Sequence, residues 1–183
     1  MNFLDRPRTY RMCCKVEEHI KHFVAGCTTL VPVKETNRHN KVNGFSHWTV
    51  CKHTGLQVTD KYYEHIPQRV LTVNDTTILW DIPVITDWTL PANRPDTVLH
   101  DKRENTCLLT DTALTDDSNI KTKETENLSK YKDLEIKVSR MWKVRTKTVL
   151  VVTRALGTIK KVLDQNFQLL PGYMLAIVLQ RSH

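Results

Sequence analysis

The stretch RPDTVLHDKRENTCLLTD, residues 94–111, decides the fold of this chain. Strand-like runs at 97–100 and 107–110 flank a polar, turn-prone segment, and this pattern predicts a β-hairpin. If the turn is centred in the middle of that segment, Asp96 lies directly opposite Asp111. A register shift of one residue would send the two carboxylates to opposite faces of the sheet.

Two opposed carboxylates require a partner. Paired side chains on antiparallel strands have Cβ atoms roughly 4.5–5.5 Å apart, where like charges repel unless a cation or a proton intervenes. Asp111 also sits inside the apolar run at 108–114, where an unpaired acid is costly to bury. The simpler alternative is that Asp96 ends a turn and Asp111 is a surface acid. The favoured interpretation is a site for Mg²⁺ or Mn²⁺, because hard cations prefer oxygen ligands.

The other elements indicate an α/β fold, with a mixed β-sheet flanked by helices. Apolar spacing predicts a helix over 38–54, for which Gly55 is a plausible C-cap. Residues 56–76 are loop-like. Further elements are predicted in this order: a strand at 77–88, the hairpin, a helix at 120–143, a strand at 146–153 and a weaker helix at 158–170.

Composition limits the function classes. The chain has 183 residues, 40% of them hydrophobic, and a formal net charge of +7. This balance favours a polyanionic partner, nucleic acid before membrane, and gives no indication of a small-molecule substrate. We find no secretion signal and no apolar stretch of membrane-spanning length, so the five cysteines are expected to be reduced.

Lysines follow the hairpin on the predicted helix. Lys123 and Lys130 could each stabilise charge on a phosphate bound near the two acids. Lys123 and Asn127 share one helix face, which Tyr131 continues, and Lys130 is three residues from Asn127. For any single lysine, a solvated basic helix face is the competing interpretation.

A cysteine and histidine cluster precedes the first helix. Three potential zinc ligands occur at zinc-knuckle spacing: Cys14, His22 and Cys27. The fourth ligand is missing, because Arg11 stands where it is expected. Cys13 or His19 could substitute, and the competing interpretation is that no site forms.

Three basic groups are candidates for contact with nucleic acid. Arg38 and His39 open the first predicted helix, where basic groups lie well against a backbone phosphate. Arg94 directly precedes the Pro-Asp pair. A purely structural role for the helix residues is the competing interpretation.

These features together resemble the C-terminal region of non-LTR retrotransposon polyproteins that carry a restriction-like endonuclease. The resemblance runs from about residue 13 to residue 172. It rests on the order of these words: Cys14…His22…Cys27, Arg38-His39-Asn40-Lys41-Val42, Trp80-Asp81, Thr86-Asp87, Arg94-Pro95-Asp96, Leu109-Thr110-Asp111, Asp116-Asp117-Ser118-Asn119, Lys123-Glu124, Leu128-Ser129-Lys130-Tyr131, Arg140-Met141-Trp142-Lys143 and Ala155-Leu156-Gly157-Thr158.

The resemblance implies a zinc-knuckle-like segment at 1–37 and a PD-(D/E)xK endonuclease-like domain at 38–183. Such a domain nicks target DNA so that the exposed 3′ end primes reverse transcription. Asp96 and Asp111 would bind Mg²⁺ or Mn²⁺, the knuckle would bind Zn²⁺, and DNA, with the RNA of the element, would be the partner. The expected location is nuclear, or cytoplasmic without import.

This chain departs from the family pattern. Asn127 stands at the position of the family's helix lysine, and Ala113 occupies the position two residues after the second acid. The chain also looks truncated and drifted, which predicts weak or absent nicking. The alternatives are a non-catalytic nucleic-acid-binding remnant of the same element and a copy that does not fold stably.

Overall fold

The computed structural model describes residues 13, 31–115 and 120–154. A short 3₁₀ turn spans Tyr62–Glu64. The helices and strands are α1 (Val31–His53), β1 (Val70–Val73), β2 (Thr76–Trp80), β3 (Thr97–Asp101), β4 (Thr106–Thr115), α2 (Ile120–Lys130), α3 (Lys132–Trp142) and β5 (Arg145–Arg154).

The strands form one mixed sheet in the order β1-β2-β3-β4-β5. The first four strands are antiparallel neighbours. Short turns join β1 to β2 and β3 to β4, whereas residues 81–96 join β2 to β3. β5 runs parallel to β4, and the helical crossover between them supplies the long connection that a parallel pair needs. The prediction of an α/β fold with a mixed sheet is therefore confirmed.

The predicted hairpin register is also confirmed. β3 pairs with β4 so that Thr97 faces Thr110 and Asp101 faces Thr106. The turn is closed by the Asp101 carboxylate, which accepts a hydrogen bond from the Glu104 backbone N–H at 3.1 Å. Extending this register by one residue brings Asp96 opposite Asp111.

Helices cover both faces of the sheet. On one face, Val50 and Cys51 of α1 pack with Leu99 of β3. On the other face, Leu134 of α3 packs with Val98 of β3. Neighbouring residues of β3 thus point into separate apolar cores, as the two-residue period of a strand requires.

The N-terminal end of α1 differs from the prediction, whereas its C-terminal end agrees. Its C-terminal end is followed by Gly55 with φ +81°, so the predicted glycine C-cap is confirmed. Its N-terminal end lies at Val31, not at residue 38. The boundary expected between residues 37 and 38 therefore falls inside a continuous helix.

Three other predictions need correction. The strand predicted over 77–88 ends at Trp80, because Asp81 takes a positive φ of 48°. Residues 70–73, predicted as loop, form edge strand β1. The single helix predicted over 120–143 is two helices that meet at Tyr131. The helix predicted at 158–170 lies outside the described residues.

Candidate functional site

Asp111 lies inside the molecule on β4. Only 8% of its surface is exposed. Burial raises the pKa of the Asp111 carboxyl, and the charge of Asp96 raises it further, whereas Lys130 opposes the shift. Asp96 is thus close enough to disfavour ionisation of Asp111, which is the condition that a bound cation relieves.

Asp96 comes just before β3 and is held by its neighbours. Pro95 before it is fully buried, so the chain enters β3 from a constrained position. The Asp96 backbone carbonyl accepts a hydrogen bond from the Asp81 N–H at 2.9 Å. Its carboxylate accepts one from the Thr112 N–H at 2.6 Å. These contacts bind the Asp96 side chain to the strand that carries Asp111.

His39 of α1 approaches the acids from the other side. Its Nε2 lies 3.4 Å from the Asp96 carboxylate. A hydrogen bond to Asp96 raises the pKa of His39 against the opposing effect of burial. Asn43, one turn further along α1, lies near the His39 ring and accepts a hydrogen bond from the Thr112 hydroxyl. α1 therefore supplies both an imidazole and an amide to the site.

Tyr131, at the break between α2 and α3, contacts the second acid. Its hydroxyl lies 3.0 Å from the Asp111 carboxylate and 3.1 Å from the Arg94 carbonyl oxygen. The Lys130 ammonium donates to the same phenol oxygen at 3.1 Å. Burial and the two acids raise the pKa of Tyr131, which keeps it a hydrogen-bond donor. Lys130 is the predicted lysine that the structure brings to the acids.

The remaining predicted residues are more scattered. Arg38 is half-buried on α1, one residue before His39. Arg94 makes a two-pronged ion pair with Asp81, at 2.8 and 2.7 Å. Lys123 lies in α2, and its side chain is outside the described part of the chain.

The knuckle-like segment is almost entirely outside the described residues. Cys13 is half-buried in a turn. Its three predicted companions lie outside the described ranges, so the zinc knuckle stays a prediction. They are Cys14, His22 and Cys27.

A cavity of about 770 Å³ adjoins Asp96. It runs between α1 and the loop that contains the 3₁₀ turn. Its lining includes His39, Asn40, Tyr62, Tyr63 and Asp96. The cavity thus joins a carboxylate and a histidine to two aromatic rings.

A second group of side chains escaped the sequence analysis. His47 Nδ1 lies 2.7 Å from His65 Nε2 and 3.5 Å from the Cys51 sulfur. All three potential ligand atoms lie within 4.8 Å of one another, so this group could hold a metal ion. The spacing of His47 and Cys51 on a helix was a usable signal, but nothing local points to His65.

Burial dominates the electrostatics of this second group. It lowers the pKa of His47 to about 4, helped by the neighbouring His65. Burial also lowers the pKa of His65 and raises that of Cys51 to about 11. Without a bound cation, all three side chains are therefore neutral near pH 7.

None of the helices in the described part of the chain has the length and apolarity needed to cross a membrane. No protein-family model matches the chain, and no curated protein matches it in sequence. The function of the chain must therefore be inferred from the geometry of these two groups of side chains.

Proposed function

We propose that the chain is a retrotransposon-derived, metal-dependent DNA endonuclease domain that nicks target DNA to prime reverse transcription. The observation that carries this proposal is the meeting of Asp96 and Asp111 with Lys130 beside them. A buried carboxylate whose ionisation a second carboxylate disfavours, with a lysine nearby, suits phosphodiester hydrolysis.

The finer fold assignment, a PD-(D/E)xK core, is part of the same proposal. Its support is that both acids lie on one hairpin, within a mixed sheet that has helices on both faces. Asp96 follows the buried Pro95, so the Pro-Asp motif lies just before the start of β3.

The acidic pair fits Mg²⁺ or Mn²⁺, because its donors are carboxylate oxygens, the ligands that hard cations prefer. Asp96 and Asp111 would hold the ion, which supplies an activated water and neutralises charge on the phosphate. Lys130 would stabilise negative charge on the phosphate oxygens, with Lys123 as a second candidate. Tyr131 would orient Asp111, because its hydroxyl reaches that carboxylate.

DNA is the proposed partner, with the RNA of the element as a second one, in a nuclear or cytoplasmic setting. The net charge of +7 favours a polyanion. His39 lies on the α1 face next to Asp96, and Arg38 precedes it on the same helix. Arg94 would have to exchange Asp81 for a phosphate. In the adjoining cavity, Tyr62 and Tyr63 offer rings on which bases could stack.

A plasmid-nicking assay tests the proposal. The full chain is incubated with supercoiled DNA and Mg²⁺ or Mn²⁺, beside Asp96→Asn and the matched surface variant Asp75→Asn, whose side chain is exposed on the β1–β2 turn. We expect nicking by the wild type and by Asp75→Asn, with a loss of at least about 100-fold in Asp96→Asn. Equal rates in wild type and Asp96→Asn would remove the enzymatic proposal.

Two positions favour a second candidate function, a non-catalytic nucleic-acid-binding remnant. Ala113 and Asn127 stand where a phosphate-facing lysine is expected. This alternative predicts no nicking but salt-sensitive DNA binding. Replacing Arg38 with Ala would then weaken binding to all sequences alike and reduce the salt slope by about one.

Zinc is proposed for the knuckle-like segment through Cys14, His22 and Cys27, with Cys13 as a candidate fourth ligand. These donors are the soft and borderline ligands that zinc prefers. Elemental analysis of the full chain and of Cys27→Ser tests this site. An unchanged zinc content in Cys27→Ser would exclude it.

A further inference from the structure

We propose that His47, Cys51 and His65 form a zinc site that fastens the irregular segment 54–69 to α1. This site is separate from the acidic pair and from the knuckle-like segment. It does not depend on the proposed endonuclease function.

The geometry is close to that of a metal-bound group. His47 and Cys51 are one helical turn apart on α1, and each is fully buried at 0% exposure. The His65 nitrogen and the Cys51 sulfur lie 2.7 and 3.5 Å from the same His47 nitrogen. Tetrahedral zinc bonds of about 2.0–2.3 Å place ligand atoms about 3.3–3.8 Å apart. The His47–Cys51 spacing therefore already fits a shared zinc ion, whereas the two imidazole nitrogens must move slightly apart.

The donor set selects the metal. Two imidazoles and a thiolate suit zinc and related borderline cations, whereas Mg²⁺ requires oxygen ligands. His65 is only partly buried and lines the cavity, so water can occupy a fourth position. Binding at this site would leave the oxygen donors of the acidic pair to a different ion.

The His47 ring is held in place by its surroundings. Trp80 of β2 packs its indole edge-on to the ring, with centroids 5.0 Å apart. The Gln68 backbone provides a hydrogen-bond partner for the same ring. Partners of this kind commonly fix the orientation of a metal-binding histidine.

Segment 54–69 is the element that gains from such a cross-link. Apart from the 3₁₀ turn it has no regular structure, yet it leads directly into β1. It contacts α1 through the Trp48 indole, which donates to the Thr59 carbonyl at 2.8 Å, and through Phe45, whose ring meets that of Tyr62. A metal bridge from α1 to His65 would hold this segment at a third point.

The competing explanation is a metal-free pair of hydrogen-bonded histidines beside a buried thiol. To separate the two, zinc is measured in the full chain carrying Cys14→Ser and Cys27→Ser, which silences the knuckle-like segment. Cobalt substitution of the same protein then reports thiolate ligation by its charge-transfer absorption. Each variant is made in this background, and circular dichroism establishes that it is folded.

Two matched controls are available. Cys107 is also a buried cysteine, but it lies in the core on the opposite face of the sheet. His100 is a half-buried histidine that stacks on Trp142. We expect about one metal equivalent in the background protein, in Cys107→Ser and in His100→Gln. We expect almost none in Cys51→Ser and His65→Gln, with the charge-transfer band lost in Cys51→Ser.

His65→Gln keeps the test decisive if Cys51→Ser does not fold, because His65 lies on the loop and is only partly buried. Chelation of the metal from the background protein should lower its unfolding temperature, and zinc should restore it. The proposal is overturned if the background protein takes up no zinc or cobalt. Equal metal content in the background protein and in His65→Gln would overturn it as well.

Discussion

The Tyr131 hydroxyl reaches the Asp111 carboxylate at 3.0 Å from the junction of α2 and α3. This contact links the helical crossover to the strand that carries the second acid. Only 2% of Tyr131 is exposed, so its ring also fills the core. The same residue is therefore part of the packing and of the candidate site.

Removing this hydroxyl separates the two roles. Tyr131→Phe keeps the ring but leaves the Asp111 carboxylate without its phenol donor. We expect the free energy of unfolding to fall by about 1.5–3 kcal/mol, the usual range for a hydrogen bond to a charged group. Chemical denaturation measures it. Tyr63→Phe, at a ring that is 67% exposed, is the control and should change stability by less than about 0.5 kcal/mol.

Neutralising the buried acid should stabilise the metal-free protein. Asp111→Asn removes a charge that is both buried and repelled by Asp96, so we expect a gain of about 0.5–2 kcal/mol in divalent-free buffer. Mg²⁺ should raise the unfolding temperature of the wild type but not of this variant. A loss of stability in Asp111→Asn, or an equal response of both proteins to Mg²⁺, would contradict the proposed site.

Glu135 gives a prediction of pH dependence. Burial acts to raise the pKa of its carboxyl, but hydrogen bonds from Lys132 and from the Thr148 N–H outweigh it and lower the pKa. A lowered pKa means that the folded protein binds the proton more weakly than the unfolded chain. The contribution is therefore complete above the ordinary pKa and is lost as pH falls through the folded-state pKa.

We expect Glu135→Gln to lower the free energy of unfolding by about 1–2 kcal/mol at pH 7. The difference from the wild type should shrink as pH falls below about 4.5, the ordinary pKa of a glutamate. Urea denaturation at a series of values between about pH 3 and pH 7 measures this difference. Glu104→Gln, in the exposed hairpin turn, is the control at neutral pH. A stability difference between wild type and Glu135→Gln that grew towards low pH would contradict a lowered pKa of Glu135.

The packing of α3 against the sheet can be tested with two positions on that helix. Leu134 is fully buried, whereas Ile136 is 41% exposed. We expect Leu134→Ala to cost about 2–5 kcal/mol of unfolding free energy, because it leaves a cavity. Ile136→Ala should cost less than about 1 kcal/mol. Similar losses at the two positions, measured by thermal or chemical unfolding, would show that α3 is oriented differently.

Local features of the sequence predicted the hairpin and its register correctly. The apolar runs of β3 and β4 flank a short polar turn, so the paired residues lie close together in the chain. A strand at the position of β5 was also foreseen, because its continuous β-branched run is typical of a buried strand. Its parallel pairing with β4 was not predicted. Gly55 was identified as a C-cap because few other residues adopt a positive φ there without strain.

Two further features were not foreseen. β1 is a four-residue edge strand that pairs with β2, although only two residues separate them in the chain. The apolar spacing over 120–143 continues through the helix break, where the Tyr131 backbone takes φ −98° and ψ 4°. At this break the Tyr131 hydroxyl contacts Arg94 and Asp111, and short-range periodicity carries no information about either of these partners.

The sequence by itself determined the α/β class, the hairpin register and hence the encounter of Asp96 with Asp111. The tertiary structure alone decided which side chains surround these acids, because His39 and Tyr131 come from helices on either side of the hairpin in the chain. It also brought His65 to His47 and Cys51, across a loop whose path depends on its packing against α1. The pairing within the β3–β4 hairpin joins residues that are close in the chain. The packing of helices on a sheet instead joins positions that no local pattern connects.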